Sequence, residues 1–206
     1  MRQDLLALVA GLGTGLSLIV AIGAQNSFVL RQGLRREHVP AIVTVCALSD
    51  LVLIAVGVAG LGAIVAVRPD VLTVIAWAGA AFLVAYGLLA ARRALRPGVL
   101  RADDAEGSPG SSAHRSVLTC LGLTWLNPHV YLDTVLLLGS VAAGYGTHRW
   151  AFAVGAGAGS VLWFCGLGFG ARFARPLFAR PIAWRVLDSA IAIIMIVLGI
   201  RLTTLR

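Results

Sequence analysis

The stretch Thr124-Trp125-Leu126-Asn127-Pro128-His129-Val130-Tyr131-Leu132-Asp133 sets a helix breaker, a histidine and a carboxylate inside an apolar run. In the first half of the chain, Ile22-Gly23-Ala24-Gln25-Asn26-Ser27 does the same with a glycine and two amides. Proline lacks a backbone N–H and clashes with the preceding turn. Asn127-Pro128 therefore reads as a helix start, with Asn as N-cap and Pro at the first helical position. Hydrocarbon offers no water to the backbone groups such a break releases, so they need protein partners, a wet cavity or a ligand. One break in each half of a polytopic chain predicts a transporter whose binding site lies between the halves.

Working outward, the 206 residues are 59% hydrophobic, with a mean hydropathy of +0.90. Soluble domains sit at roughly 45–50% apolar. A helix crossing a bilayer takes about 20 apolar residues, and six runs reach that length, over residues 5–30, 40–67, 71–91, 116–143, 150–173 and 183–205. The predicted fold is all-α: a polytopic membrane protein with six transmembrane helices. Little chain is left for a soluble domain. The apolar N-terminal run is read as a retained membrane segment rather than a cleaved signal.

All 17 basic residues are arginine. The loops after the first, third and fifth runs hold 12 of them, and the remaining loops and ends hold 5. The positive-inside rule places the arginine-rich loops in the cytoplasm. Confined to short loops, the net charge of +8 is a topology signal and predicts no nucleic-acid partner. Six crossings put both termini outside. If the first segment instead turns back at Gly23-Ala24, the N-terminus lies inside and five helices cross.

Residues 93–115 contain Gly98, Asp103, Asp104, Glu106, Gly107, Ser108, Pro109 and Gly110, the composition of a flexible cytoplasmic linker. It divides the chain into 1–92 and 116–206, three runs each. An odd number of crossings inverts the second half, predicting two inverted three-helix repeats. Leu48-Ser49-Asp50-Leu51-Val52-Leu53 is locally similar to Gly159-Ser160-Val161-Leu162-Trp163-Phe164, and Ala85-Tyr86-Gly87-Leu88 to Val197-Leu198-Gly199-Ile200.

Several side chains in these runs bear on chemistry. Asn127 lies eleven residues after Ser116, about 16 Å along a helix at 1.5 Å per residue. That is mid-depth in a core about 30 Å thick. The helix starting there points a positive dipole end inward, suited to a carboxylate. Asp133 and Asp50 are carboxylates within apolar runs, which are costly and usually functional. His129 and Asp133 are four apart, on one helical face. Gln25 and Asn26 suit ligand coordination or hydrogen bonding between helices equally well. Asp188 reads as an interfacial ion pair with Arg185. Trp125, Tyr131 and Trp163 read as packing or interfacial anchors, with stacking on a guanidinium the lesser alternative. The spacings Gly11/Gly15, Gly155/Gly159 and Gly166/Gly170 predict close helix packing, and leave a homo-oligomer open. Cys46, Cys120 and Cys165 have no metal-ligand spacing and read as small apolar residues. No catalytic residue, metal site or cofactor is predicted.

On these motifs the chain resembles the LysE-type family of basic amino-acid exporters. The matching segments are Ile22-Gly23-Ala24-Gln25-Asn26-Ser27-Phe28-Val29-Leu30-Arg31-Gln32-Gly33, Ala47-Leu48-Ser49-Asp50-Leu51-Val52-Leu53 and Leu123-Thr124-Trp125-Leu126-Asn127-Pro128-His129-Val130-Tyr131-Leu132-Asp133-Thr134. The family usually has proline where this chain has Ala24, which predicts a softer first break carried by Gly23 alone. The resemblance implies export of L-arginine or L-lysine. Gln25, Asn26, Asp50, Asn127, Pro128 and Asp133 are then the candidate substrate-binding residues, and Asp50, Asp133 and His129 the candidates for proton coupling. The alternatives are an exporter of neutral amino acids of the threonine or homoserine kind and a non-transporting scaffold. An intramembrane enzyme lacks any serine–histidine or metal-ligand pattern.

Overall fold

A computed structural model describes residues 1–20, 23–61, 69–95, 113–174, 176, 178 and 181–204. The described residues form α1 (Arg2–Ile19), α2 (Ala24–Arg35), α3 (Val39–Val56, continued over Gly57–Leu61 to a kink at Gly60, φ 88°), α4 (Pro69–Leu95), α5 (Ala113–Trp125), α6 (Pro128–Ala143), α7 (Arg149–Ala174) and α8 (Pro181–Thr204), with no strand among them. The stretches Val39–Gly60, Trp77–Leu95, Gly146–Ala174 and Ile182–Arg201 are each long and apolar enough to cross a membrane. The pair α1 and α2, bent by 84°, is a fifth candidate. The predicted run over 116–143 is no single helix, because α5 stops at Trp125 and α6 starts at Pro128. Apolar side chains such as Leu5, Trp77, Leu162, Phe173 and Ile193 face outward, as a lipid-facing surface requires. The chain is a multi-pass membrane protein. The predicted linker falls, for residues 96–112, outside the described residues; residues 93–95 are the last turn of α4.

The first break is sharp rather than soft. Gly23 is the N-cap of α2 in an extended conformation, at φ −112° and ψ −176°. The Asn26 amide Nδ2 donates to the Ile19 carbonyl at 2.6 Å, satisfying an acceptor that the end of α1 leaves open. An amide thus holds an 84° bend without proline.

Glycines set how the helices pack. A Cβ at Gly11 would collide with the Phe152 backbone, one at Gly15 with Ala156, and one at Gly33 with Gly168 and Ala171. Ascending numbers on both sides mean that α1 runs parallel to α7, and α2, beyond the bend, meets its later turns. Asp4 meets His148 at one end of α7, at 2.8 Å, and Gly33 meets the other end. The contacts of the first segment thus advance from one end of α7 to the other across the bend. The second broken segment treats α3 likewise. Cys46 meets Cys120, Ser49 meets Trp125, and Gly57 lies against Thr134, Val135 and Gly139. Helices α4 and α8 pack antiparallel, Gly87 against Met195 and Ile196 and Gly199 against Ala80 and Val84. Close packing holds for Gly11/Gly15 and Gly155/Gly159. It fails for Gly166 and Gly170, where a Cβ would meet nothing within 4 Å, because this face of α7 points outward. Ile42, Cys46, Leu83, Leu123, Phe164 and Met195 form a common core from five helices.

Candidate functional site

The second break supplies the site's wall. Asn127 caps α6 as the sequence predicts, its Oδ1 accepting from the His129 N–H at 3.1 Å, with Pro128 at the first helical position. On the other side of the break the Tyr131 hydroxyl donates to the Trp125 carbonyl at 2.8 Å. A Cβ at Gly79 of α4 would overlap the Leu126 carbonyl, so only glycine lets α4 seat against this exposed backbone. The helix start keeps few donors for a ligand. The Val130 N–H goes to the Asn127 carbonyl at 3.1 Å and the Tyr131 N–H to that of Pro128. The helix start meets the cavity through Asn127, His129 and Val130. Tyr131–Leu137 continues as a π-helix carrying Asp133. Such wider turns cluster at functional sites because they redirect side chains out of α-helical register.

Both breaks open on one cavity of about 250 Å³. Its lining includes Gly23, Gln25 and Asn26 from the first break, Asn127, His129 and Asp133 from the second, Asp50 from α3, and Leu198 and Arg201 from α8. This lies just below the roughly 300–1,000 Å³ of common ligand pockets, a size for a small metabolite. Asp50 is buried and accepts from the Ser160 hydroxyl at 2.7 Å. Half-buried Asp133 has no hydrogen bond or ion pair among the described residues. The Gln25 Nε2 is a buried donor without a partner among the described residues. The cavity therefore offers two carboxylates to a cation, and amide donors and the Arg201 guanidinium to an anion.

The structure brings Gln25, Asn26, Asp50, Asn127, His129 and Asp133 to this one cavity. Pro128 is buried behind it, shaping the helix start. Asn26 is spent largely on the fold, its Nδ2 on Ile19 and its Oδ1 accepting from Trp163 Nε1 at 3.3 Å. The tryptophans brace the site: Trp125 Nε1 donates to the Ser49 hydroxyl at 3.1 Å. Trp125, Tyr131 and Trp163 are absent from the cavity lining, whose aromatic is Phe164. Sequence reasoning missed Ser160, Phe164 and Arg201. Ser160 had a signal, since it is the counterpart of Ser49 in the internal similarity.

Asp188 departs from expectation. Rather than pairing with Arg185, it is buried at 2% exposure and ion-paired with Arg31 of α2, itself 4% exposed, and with Arg93 Nε of α4 at 3.4 Å. Arg185 is exposed. Among the described residues, no group of three or more His, Cys, Asp or Glu side chains could hold a metal ion.

Residues 16–206 match the family described as LysE type translocator. A Mycobacterium tuberculosis protein described only as a candidate amino-acid transporter is 50% identical, over 88% of this chain and 89% of its own. The lysine exporter LysE of Corynebacterium efficiens is 38% identical, over 94% of this chain and 96% of its own. The arginine exporter protein ArgO of Salmonella enteritidis is 37% identical, over 93% and 90%. No solved structure matches.

Proposed function

The chain belongs to the LysE type translocator family, and from that premise we propose that it exports L-arginine or L-lysine from the bacterial cytoplasm in exchange for protons. One observation carries the reading: Asp50 and Asp133, one from each half, face a single small cavity, and Asp133 has no partner among the described residues. A carboxylate in a membrane interior is expensive unless a cation or proton meets it. A basic amino acid brings the cation. Its carboxylate has the Gln25 and Asn127 amides and the dipole end of α6. A neutral amino acid brings one cation to the two carboxylates, whereas a basic one brings two.

Exporting one positive charge against an inside-negative membrane costs about 2.3 kcal/mol per 100 mV. Inward protons supply that work. Asp50 and Asp133, with His129 beside them, take protons from the outside, which releases the substrate cation. Losing them to the cytoplasm readies the cavity for the next. The proposed scaffold is six crossings in two inverted three-helix repeats, 1–92 and 116–206, joined by the cytoplasmic linker 93–115. Reciprocal packing supports it. Ser49 and Ser160 are 111 residues apart, as are Gly57 and Gly168, and Gly87 and Gly199 are 112 apart. Gly33 meets Gly168 as Gly139 meets Gly57. Rocking one half against the other alternates access to the cavity between them.

Efflux of labelled L-arginine and L-lysine from proteoliposomes under an inward proton gradient tests the proposal. Gradient-dependent efflux of either is the expected result. Efflux of threonine or homoserine alone would move the assignment to a neutral amino-acid exporter. No efflux of any of them, from folded and inserted protein, would leave a scaffold.

A further inference from the structure

The Arg31–Asp188–Arg93 cluster lies outside the cavity just described. On α8, Asp188 is 13 residues from Arg201 at the cavity rim, about 20 Å along the helix. The arginine-rich loops place the Asp188 end of α8 in the cytoplasm and the Arg201 end outside. Above the ion cluster, Phe28 of α2 packs edge-on against Tyr86 of α4, ring centroids 6.2 Å apart, and the Arg93 guanidinium lies 5.6 Å from the Tyr86 ring centre. One ionic and one aromatic layer thus join α2, α4 and α8 between the cavity and the cytoplasm.

The cluster is poorly made as a structural brace. Two guanidiniums share one carboxylate, and although Arg93 also bonds Tyr86, its Nη2 is buried without a partner among the described residues, as is the Oε1 of Gln32, which follows Arg31 in α2. Buried ion pairs seldom add net stability, and half-satisfied networks cost it. The arrangement suits a contact that is broken and remade. The ligand proposed for the cavity carries what its opening would leave unpaired: a cation for Asp188 and a carboxylate for Arg93.

We propose that Arg31, Asp188 and Arg93 form the cytoplasmic gate, and that Asp188 is a transient entry site which passes from the arginines to the cationic substrate. The structure is then the outward-facing state, with its inner gate shut. The entry role rests on the exporter reading; the gate does not.

The test uses the full chain with Cys46→Ala, Cys120→Ala and Cys165→Ala and a single reporter, Thr134→Cys, in the cavity lining. Modification by a membrane-impermeant maleimide is timed in inside-out vesicles, which present the cytoplasmic face. Labelling is expected to be slow with the gate intact and at least tenfold faster with Asp188→Asn. Arg93→Gln, which keeps the Arg31–Asp188 pair and so spares the fold, is expected to speed it as well. In the intact gate, L-arginine or L-lysine at the cytoplasmic face should speed labelling and L-glutamate should not. Unchanged rates in the variants overturn the gate. Faster variants with no response to the basic amino acids overturn the entry role of Asp188. Because labelling reads access and not export, a protein that labels as expected yet exports nothing fails the export reading alone.

Discussion

At the scale of the residue, Asp133 carries the cation reading. It is half-buried, lines the cavity and has no partner among the described residues. Asp133→Asn keeps shape and polarity but removes the charge. Export of L-lysine and L-arginine from proteoliposomes should fall at least tenfold, equivalent to about 1.4 kcal/mol. Transport at full rate would remove Asp133 from the mechanism. Ser160 acts through another residue: its hydroxyl holds the Asp50 carboxylate at 2.7 Å. A hydrogen bond to a charged group contributes about 1.5–3 kcal/mol. Ser160→Ala should therefore raise KM roughly tenfold or more while kcat changes less, and Ser160→Thr should restore it. An unchanged KM would leave Ser160 a packing residue. These two sites also mark how far the sequence could be read. A carboxylate in an apolar run announces itself, and so Asp50 and Asp133 were legible. A serine in such a run is common, and Asp188 has an arginine three residues away that distracts from its partner 157 residues away. Ion pairs between distant elements leave no local signal.

At the scale of the element, both helix breaks were legible in position, because glycine, proline and amides in hydrocarbon have few other uses. Their geometry was not. The missing proline at Ala24 suggested a soft bend, yet Asn26 closes the α1 end and the angle is 84°. The π-helical course of Tyr131–Leu137 had no sequence signature at all. It arises where α6 presses against the end of α3, with the Gly139 and Gly57 backbones in contact. The second break depends likewise on a neighbour, since Gly79 admits the Leu126 carbonyl into the space of a side chain. Gly79→Ala must push α4 off the break. Overpacking of this kind costs about 1–3 kcal/mol, and the contact is with backbone, which yields little. The variant should lose thermal stability in detergent and bind lysine more weakly, as read by a Tm shift on adding ligand. A Tm and a ligand shift equal to those of the unaltered protein would show that α4 does not support the break.

At the scale of the whole molecule, interleaved packing of the halves is what makes the charge inventory of the cavity matter. The first segment lies along α7 and the fifth and sixth helices along α3, so each half contributes one acid to the same space. Two acids that both ionise to accept one substrate cation, and both protonate to release it, carry two protons in for one positive charge out. Each cycle then moves one net positive charge inward. An inside-negative potential should drive that cycle, by about 2.3 kcal/mol per 100 mV. In proteoliposomes with the cytoplasmic face inward and no pH gradient, a potassium diffusion potential set by valinomycin should accelerate lysine efflux. Asp50→Asn leaves one proton-carrying acid, which makes the exchange one for one and electrically silent. That variant should export more slowly, lose its response to potential and keep its response to a pH gradient. Efflux by the unaltered protein that ignores the potential would mean that one acid alone moves a proton. Asp50 would then be a fixed partner of the substrate rather than a carrier.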